Sequence, residues 1–359
     1  MIYVQLFLIH SRRMLIMISS YLSKIANFEH LTQTEARNLM QEMITSPIDE
    51  QQAAALLAAL KLRGETPEEL AGFVQAVKAN QKDVIHSRTG VIDTCGTGGD
   101  MKGTFNVSTA ASIVLAAYGL PVAKHGNGAV TSASGSMDVL RALNINPANT
   151  PEEAKDELEK RHISFLNAPS FHPGLKKFVS TRKKLPFRTV FNLIGPLCNP
   201  AEPEFQLLGA STEKAAETIV QAMKLLGRKR ALVVSAADGM DELSITSPTR
   251  MFLLNEGEIQ ESVITPEEAG IRTANSLHGL QVSSKEESAE LIKKLLKGYA
   301  PQPAVDIVAL NAGAALYCAQ KADTVAEGAE HARAKLASGE VYEFYRTLCA
   351  EGGNAHAAY

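Results

Sequence analysis

VIDTCGTGGDMKGTFNVSTAASIVLAAYGLPVAKHGNG, running from Val91 to Gly128, is the stretch that decides the fold. The apolar pair Val91-Ile92 opens a strand and a glycine loop follows. The run through Ile113 to Tyr118 has the texture of a helix, and Val122-Ala123 opens a second strand. Strand, helix and strand in this order make a βαβ unit, which predicts a parallel sheet with crossover helices. The alternation pauses between about 167 and 200, where prolines and basic residues gather, and resumes with Leu207-Leu208-Gly209. A helix from about Glu213 to Leu226 and a strand from Ala231 to Val234 come next, with later helices over Ser284 to Lys297 and Pro303 to Gln320.

Before Val91 the texture is helical. Thr32 and Glu35 make a capping box, after which Ala36, Leu39, Met40, Met43 and Ile44 recur at helical spacing. A second helix runs from Asp49 to a stop at Gly64, and a third opens on Thr66, Pro67 and Glu69, with proline at the first helical position. Three helices are thus expected ahead of any strand. The architecture expected is α/β: a helical domain over residues 20–88, with a helical segment from about 167–200 packing on it, and a larger domain over 89–350. In that larger domain a mostly parallel central sheet is flanked by helices.

With 359 residues, 45% of them hydrophobic, the chain can bury a sizeable core. Its 36 basic and 39 acidic residues leave a net charge of -3, which gives no general attraction to nucleic acid or to an anionic membrane. Any anion site must be local. Cys95, Cys198, Cys318 and Cys349 are widely spaced and form no CxxC pair, so neither a zinc site nor a disulfide framework is expected, and a reducing cytoplasm fits best. The apolar start, Ile2 to Ile9, is interrupted by Arg12 and Arg13 and is too short to span a bilayer. No export signal is read there, and Met14 or Met17 offers an alternative start.

Chemistry concentrates where strands end. The three glycines of Asp93-Thr-Cys-Gly-Thr-Gly-Gly-Asp100 let the backbone turn tightly and aim several N–H groups at a phosphate. Neither familiar dinucleotide nor P-loop spacing is met: Met101 stands where a third glycine belongs, and no lysine follows the second. Glycine permissiveness alone would account for a structural turn equally well. Phe105-Asn-Val-Ser-Thr109 then brings amide and hydroxyl groups to a helix N-terminus, which favours anions, although Ser108 or Thr109 could simply cap the helix. After the next strand, Lys124-His-Gly-Asn-Gly128 is followed by Ser132, Ser134, Gly135 and Ser136, a cation with small and hydroxylic residues that suits a pyrophosphate. A third strand end carries Asp238-Gly-Met-Asp-Glu-Leu-Ser244. Its adjacent Asp241 and Glu242 would bind magnesium, which takes one or two carboxylates plus substrate phosphates.

Together these segments resemble the anthranilate phosphoribosyltransferase family. The matching stretches are Gly96 to Asp100, Asn106 to Thr109, Lys124 to Asn127, Ser132 to Ser136, His172 to Pro200 and Asp238 to Glu242, in the family's order and spacing over roughly residues 25 to 350. The resemblance implies a magnesium-dependent homodimer of the type-III phosphoribosyltransferase fold, related to the pyrimidine nucleoside phosphorylases. It implies that Gly96, Thr97, Gly98, Gly99, Asp100, Thr104, Asn106, Ser108, Thr109, Lys124 and Ser136 hold phosphoribosyl pyrophosphate. Gly96, His125, Asn127, Pro169, His172 and Arg182 would receive anthranilate, and Ser108, Asp241 and Glu242 would serve the metal. Lys124, His125 and Arg182 are the catalytic candidates, His125 either taking a proton or only positioning. Three positions depart from the family pattern: Gly128 replaces an arginine, Leu175 stands where tyrosine is frequent, and the strand after Pro200 reads Glu204-Phe-Gln-Leu-Leu-Gly. The competing readings are a related transferase or nucleoside phosphorylase with another acceptor, and a non-catalytic paralogue that binds nucleic acid. The intact glycine and acidic motifs and the negative net charge weigh against the second.

Overall fold

The computed structural model describes residues 18–128 and 135–352. The apolar start with Met14 and Met17, and Ser132 and Ser134 of the second loop, lie outside the described residues. Helices α1 (residues 18–26), α2 (Gln33–Thr45), α3 (Glu50–Arg63) and α4 (Pro67–Lys78) come first. That is one helix more than expected. Ile18, Tyr21, Leu22 and Ile25 of α1 form an apolar stripe, but the sequence merges it with the apolar run before it. Both capping boxes form. Thr32 Oγ1 accepts from the Glu35 N–H and Glu35 Oε2 accepts from the Thr32 N–H, at 3.2 and 2.8 Å; Thr66 and Glu69 repeat the pattern. Glu69 does more than cap. Fully buried, it also takes the Leu31 N–H at 2.8 Å and both of its oxygens meet Arg63 at 2.6 Å, which ties the bundle to the chain entering α2.

The α/β part follows as β1 (Ile92–Gly96), α5 (Val107–Tyr118), β2 (Val122–Gly126), α6 (Ser136–Ala142), α7 (Pro151–Arg161) and β3 (Ile163–Asn167). Three short helices, α8 (Ala168–Phe171), α9 (Val179–Lys184) and α10 (Val190–Ile194), fill the stretch where the alternation pauses. Then come β4 (Phe205–Gly209), α11 (Glu213–Leu225), β5 (Arg230–Ala236), β6 (Thr249–Asn255) and β7 (Glu258–Ile264). Four helices close the described chain: α12 (Lys285–Leu296), α13 (Gln302–Cys318), α14 (Val325–Ala337) and α15 (Glu340–Gly352).

One seven-stranded sheet runs in the order β3-β2-β1-β4-β5-β6-β7. The first five are parallel, and β6 and β7 extend the sheet as an antiparallel hairpin. Successive strand residues face opposite layers. Leu207 and Leu232 enter a core with α5 and α12 to α15, whereas Leu208 and Val233 enter a second core with α11 and the N-terminal helices. Phe178, Val190, Phe191 and Ile194 from the Pro-rich stretch join that second core. Helix α4 approaches α2 closely at Gly72, where a Cβ would lie 2.2 Å from the Gln33 carbonyl oxygen. The chain winds outward from β1 through β2 to β3 and then returns to place β4 on the other side of β1. This reversal opens a crevice beyond the carboxyl ends of β1 and β4, the position where open α/β sheets bind ligands.

Candidate active site

Three loops meet in that crevice. From the end of β1, Gly98 and Gly99 take positive φ values of 72° and 66°, a conformation that costs side-chain-bearing residues energy. The chain after β5 crosses directly above. Cβ atoms placed on Gly96 and Gly209 would lie 2.3 Å from Asp241 Oδ2 and 1.6 Å from the Asp241 carbonyl oxygen, so glycine at both strand ends lets Asp241 reach the loop. Asp241 Oδ2 accepts the Gly98 N–H at 2.6 Å, and Glu242 Oε1 accepts the Ser108 N–H at 3.0 Å at the start of α5. The N-cap of α5 is Asn106, without a side-chain cap bond, so neither Ser108 nor Thr109 is the N-cap. Lys124, almost fully buried in the middle of β2, donates to Ser108 Oγ at 3.2 Å and to the Thr94 carbonyl.

The electrostatics are those of acids short of a cation. Burial and then the charge of Asp100 push the Asp241 carboxyl up to about 6, and burial with Asp241 and Asp100 nearby raises Glu242 well above the usual range. Among the described residues no set of three or more His, Cys, Asp or Glu side chains is arranged to hold a metal alone. A cation bound here would complete its shell with oxygens from water or a ligand, as magnesium does.

On the other side of Lys124 the cleft changes character. His125 Nε2 and His172 Nε2 lie 3.1 Å apart, so one ring donates and the other accepts. Burial lowers His172 to about 4 and, with His172 beside it, holds His125 well below the usual imidazole value. The pair is neutral at pH 7. The buried carboxyl of Asp93 takes the His125 backbone N–H at 3.3 Å and the Gln206 side-chain amide at 3.2 Å, fixing the end of β2. Arg182 of α9 stacks its guanidinium 5.3 Å from the Phe191 ring centroid and forms no hydrogen bond or ion pair from that group among the described residues. Burial pulls its pKa below the ordinary arginine value. A partly desolvated guanidinium fork without a partner, set in a cleft wall, has the geometry that suits a carboxylate.

The cleft encloses about 370 Å³. A hollow near Lys297, Tyr299 and Tyr342 is more open and lacks any such convergence of loops.

Residues 88–342 match the model of the glycosyl transferase family, a/b domain, and residues 19–80 that of the glycosyl transferase family, helical bundle domain. Anthranilate phosphoribosyltransferase of Geobacillus kaustophilus is 46% identical over 335 residues, covering 93% of this chain and 98% of that protein. The chain belongs to the anthranilate phosphoribosyltransferase family. A crystal structure of the Thermus thermophilus member superimposes with a TM-score of 0.84 at 38% identity, covering 92% of this chain and 99% of that one. The Saccharomyces cerevisiae member, solved in complex with PRPP and Mg, shares the fold with a TM-score of 0.85 at 24% identity, covering 94% of this chain and 98% of that one.

The cleft wall gathers nearly all residues that the family motifs single out. The first loop and helix contribute Gly96, Thr97, Gly98, Gly99, Asp100, Thr104, Asn106 and Ser108; the second loop contributes Lys124, His125, Asn127 and Ser136. Pro169, His172 and Arg182 line the histidine-bearing end, and Asp241 and Glu242 the floor. Thr109 is the exception: it lies on the buried face of α5 with an unpartnered hydroxyl and does not line the cleft. Two of the three departures are walls too. Gly128 lies where a Cβ would be 3.4 Å from Asp138 Oδ2, and Leu175 lines the same end as His172 and Arg182. Phe191, Asn192 and Lys176, which sequence reading did not single out, also line it. Thr189, shortly after Pro186, marks the start of α10, but nothing local tells that the helix turns Phe191 under Arg182.

Proposed function

We propose that the cleft binds phosphoribosyl pyrophosphate with magnesium across the β1 and β2 loops and transfers its phosphoribosyl group to the amine of anthranilate, releasing pyrophosphate. The observation that carries this is the division of one cleft into two chemically opposite ends: an N–H- and lysine-lined end floored by acids, and an apolar, histidine-lined end closed by the unpaired Arg182. A substrate with a polyanion at one end and an aromatic carboxylate acceptor at the other matches that division. Family membership supports the same pair of substrates.

In the reaction the amine nitrogen forms a bond to the anomeric carbon, the bond from that carbon to the pyrophosphate oxygen breaks with its electron pair leaving on pyrophosphate, and the nitrogen releases its proton to water. Glycosyl transfers of this kind pass through an oxocarbenium-like state. Gly96 to Gly99, Asn106, Ser108 and Lys124 bind the leaving group, and their oriented N–H and ammonium groups offset the charge that develops on it. Asp241 and Glu242, with the Ser108 hydroxyl, would hold magnesium, whose charge supplies further stabilisation of pyrophosphate. Arg182 orients the carboxylate, and the neutral His125–His172 pair packs beside the acceptor without placing a second cation near it. The low proton affinity of both imidazoles favours positioning over proton capture as the role of His125.

A homodimer formed through the N-terminal helices fits the exposed apolar side chains there, Phe28 and Leu62. No helix among the described residues is long and apolar enough to cross a membrane, and a cytoplasmic enzyme is the setting that this reading adopts. The test of function is the loss of anthranilate fluorescence on adding phosphoribosyl pyrophosphate and magnesium. Loss that requires all three components is expected; no loss with folded protein would overturn the proposal.

A further inference from the structure

Arg188 stands outside the cleft wall and belongs to none of the binding sets given above. It sits between α9, which carries Arg182, and α10, which carries Phe191 and Asn192, so it lies on the segment that builds the acceptor end. Its side chain nevertheless reaches the opposite end. A Cβ built on Gly99 would come within 2.5 Å of Arg188 Nε, 2.7 Å of Nη2 and 2.8 Å of Cζ, which places the guanidinium flat against the Gly99 backbone. Nη1 donates to the hydroxyl of Ser211, just beyond β4. The charge is also felt at Asp241, whose carboxylate holds the Gly98 N–H.

One guanidinium therefore touches the β1 loop, is anchored beyond β4, and acts on the acid that crosses above both strands. Gly98 and Gly99 are consecutive residues at positive φ, a turn with little conformational preference of its own, so its geometry must be held from outside. A planar fork that lies on one segment while bonding another can do this; a flexible ammonium cannot. Gly99 is glycine for a second reason here, because any side chain would displace the guanidinium.

We propose that Arg188 is a positioning residue for the phosphoribosyl pyrophosphate loop: braced by Ser211, it fixes the Gly98–Gly99 turn so that the loop's N–H groups converge on the pyrophosphate. The inference rests on the function proposed above. Titration calorimetry with phosphoribosyl pyrophosphate and magnesium, alongside thermal melts and steady-state kinetics, tests it in Arg188→Gln, Arg188→Lys, Ser211→Ala and the Arg188→Gln/Ser211→Ala double variant. Removing the outer-shell partner of a metal ligand costs about 10–100-fold, and on that scale Arg188→Gln is expected to weaken phosphoribosyl pyrophosphate binding by about tenfold or more. The anthranilate Michaelis constant should stay near its wild-type value. Ser211→Ala should weaken binding in the same direction by less, and the double variant should lose no more than Arg188→Gln alone, because the two groups act as one brace. Arg188→Lys should remain weakened. Wild-type affinity in Arg188→Gln, additive losses in the double variant, or full rescue by lysine would each overturn the proposal. If Arg188→Gln fails to fold, Ser211→Ala still decides: unchanged affinity overturns it. A folded wild type that bound no phosphoribosyl pyrophosphate would overturn the functional reading and this inference with it.

Discussion

Replacing Arg182 with alanine should separate binding from stability. The guanidinium lines the cleft, lies over Phe191 at 5.3 Å, and has no ion pair or hydrogen bond from that group among the described residues. In the complex it would gain a charge-assisted pair with the acceptor carboxylate, worth about 1.5–3 kcal/mol. Its loss should raise the anthranilate Michaelis constant about ten- to hundredfold, with that for phosphoribosyl pyrophosphate nearly unchanged. In the free protein the same side chain is a partly desolvated charge whose one visible return is the cation–π contact, about 0.5–1 kcal/mol. Truncation gives up that contact and some packing but relieves desolvation. The balance should lie within about 1 kcal/mol, a melting shift of no more than about 2–4 °C. Lysine should rescue poorly, since a point charge cannot reproduce the bidentate fork. Steady-state kinetics with each substrate varied in turn, together with calorimetric melts, checks both halves. Equal losses for the two substrates, or a fall of many degrees in the melt, would refute the reasoning and make Arg182 a structural residue.

Asp241→Asn and Glu242→Gln should each weaken the magnesium dependence of turnover and abolish the melting increment that magnesium with pyrophosphate gives the wild type, an increment expected from binding to the folded state alone. Unchanged magnesium titrations would remove both acids from the site. The histidine pair sets an acid limit. Folded His172 has its pKa lowered to about 4 against an ordinary 6.5, so the unfolded chain binds the extra proton first; the pair's contribution is complete above about 6.5 and is lost as pH falls toward 4. Melts between pH 4 and 7 should show this slope, and His172→Gln should flatten it. Glu157 runs the other way. Burial raises it to about 7 although Ser164 donates to it at 2.8 Å, so its contribution is complete below about 4.5 and is lost as pH rises through 7. Glu157→Gln should be more stable than wild type at pH 8 by about 1–3 kcal/mol, discounted for its partial exposure, and equal stability there would refute the assignment.

Local signals in the sequence carried much of the architecture. The capping boxes at Thr32 and Thr66, the proline at position 67 and the βαβ writing around the glycine loop all act within a few residues, and each forms where the pattern puts it. Strands β3, β6 and β7 were not legible in the same way. Ile163 to Asn167 is a five-residue run behind the highly charged α7, too short for its period to stand out, and β6 and β7 pair with each other and with β5 through register that only the folded sheet supplies. The site divides similarly. Gly96 to Asp100, Lys124, Asp241 and Glu242 announce themselves because backbone turns and charges at strand ends are local features. Thr109 looked equivalent to Ser108, but one residue further along α5 is a rotation of about 100° and turns its side chain into the core. Arg188 and Asp93 act across 89 and 32 residues of chain, on Gly99 and on the His125 N–H, and no spacing rule reports contacts of that kind.

The most direct test of the central claim follows the phosphorus. In ³¹P nuclear magnetic resonance of the protein with phosphoribosyl pyrophosphate, magnesium and anthranilate, the diphosphate resonances of the substrate should convert to free pyrophosphate while a phosphomonoester persists, one equivalent for each anthranilate consumed, and not without anthranilate. Pyrophosphate release that ignored anthranilate, or turnover that consumed inorganic phosphate with a nucleoside instead, would contradict the assignment of this cleft to phosphoribosyl transfer onto an aromatic amine.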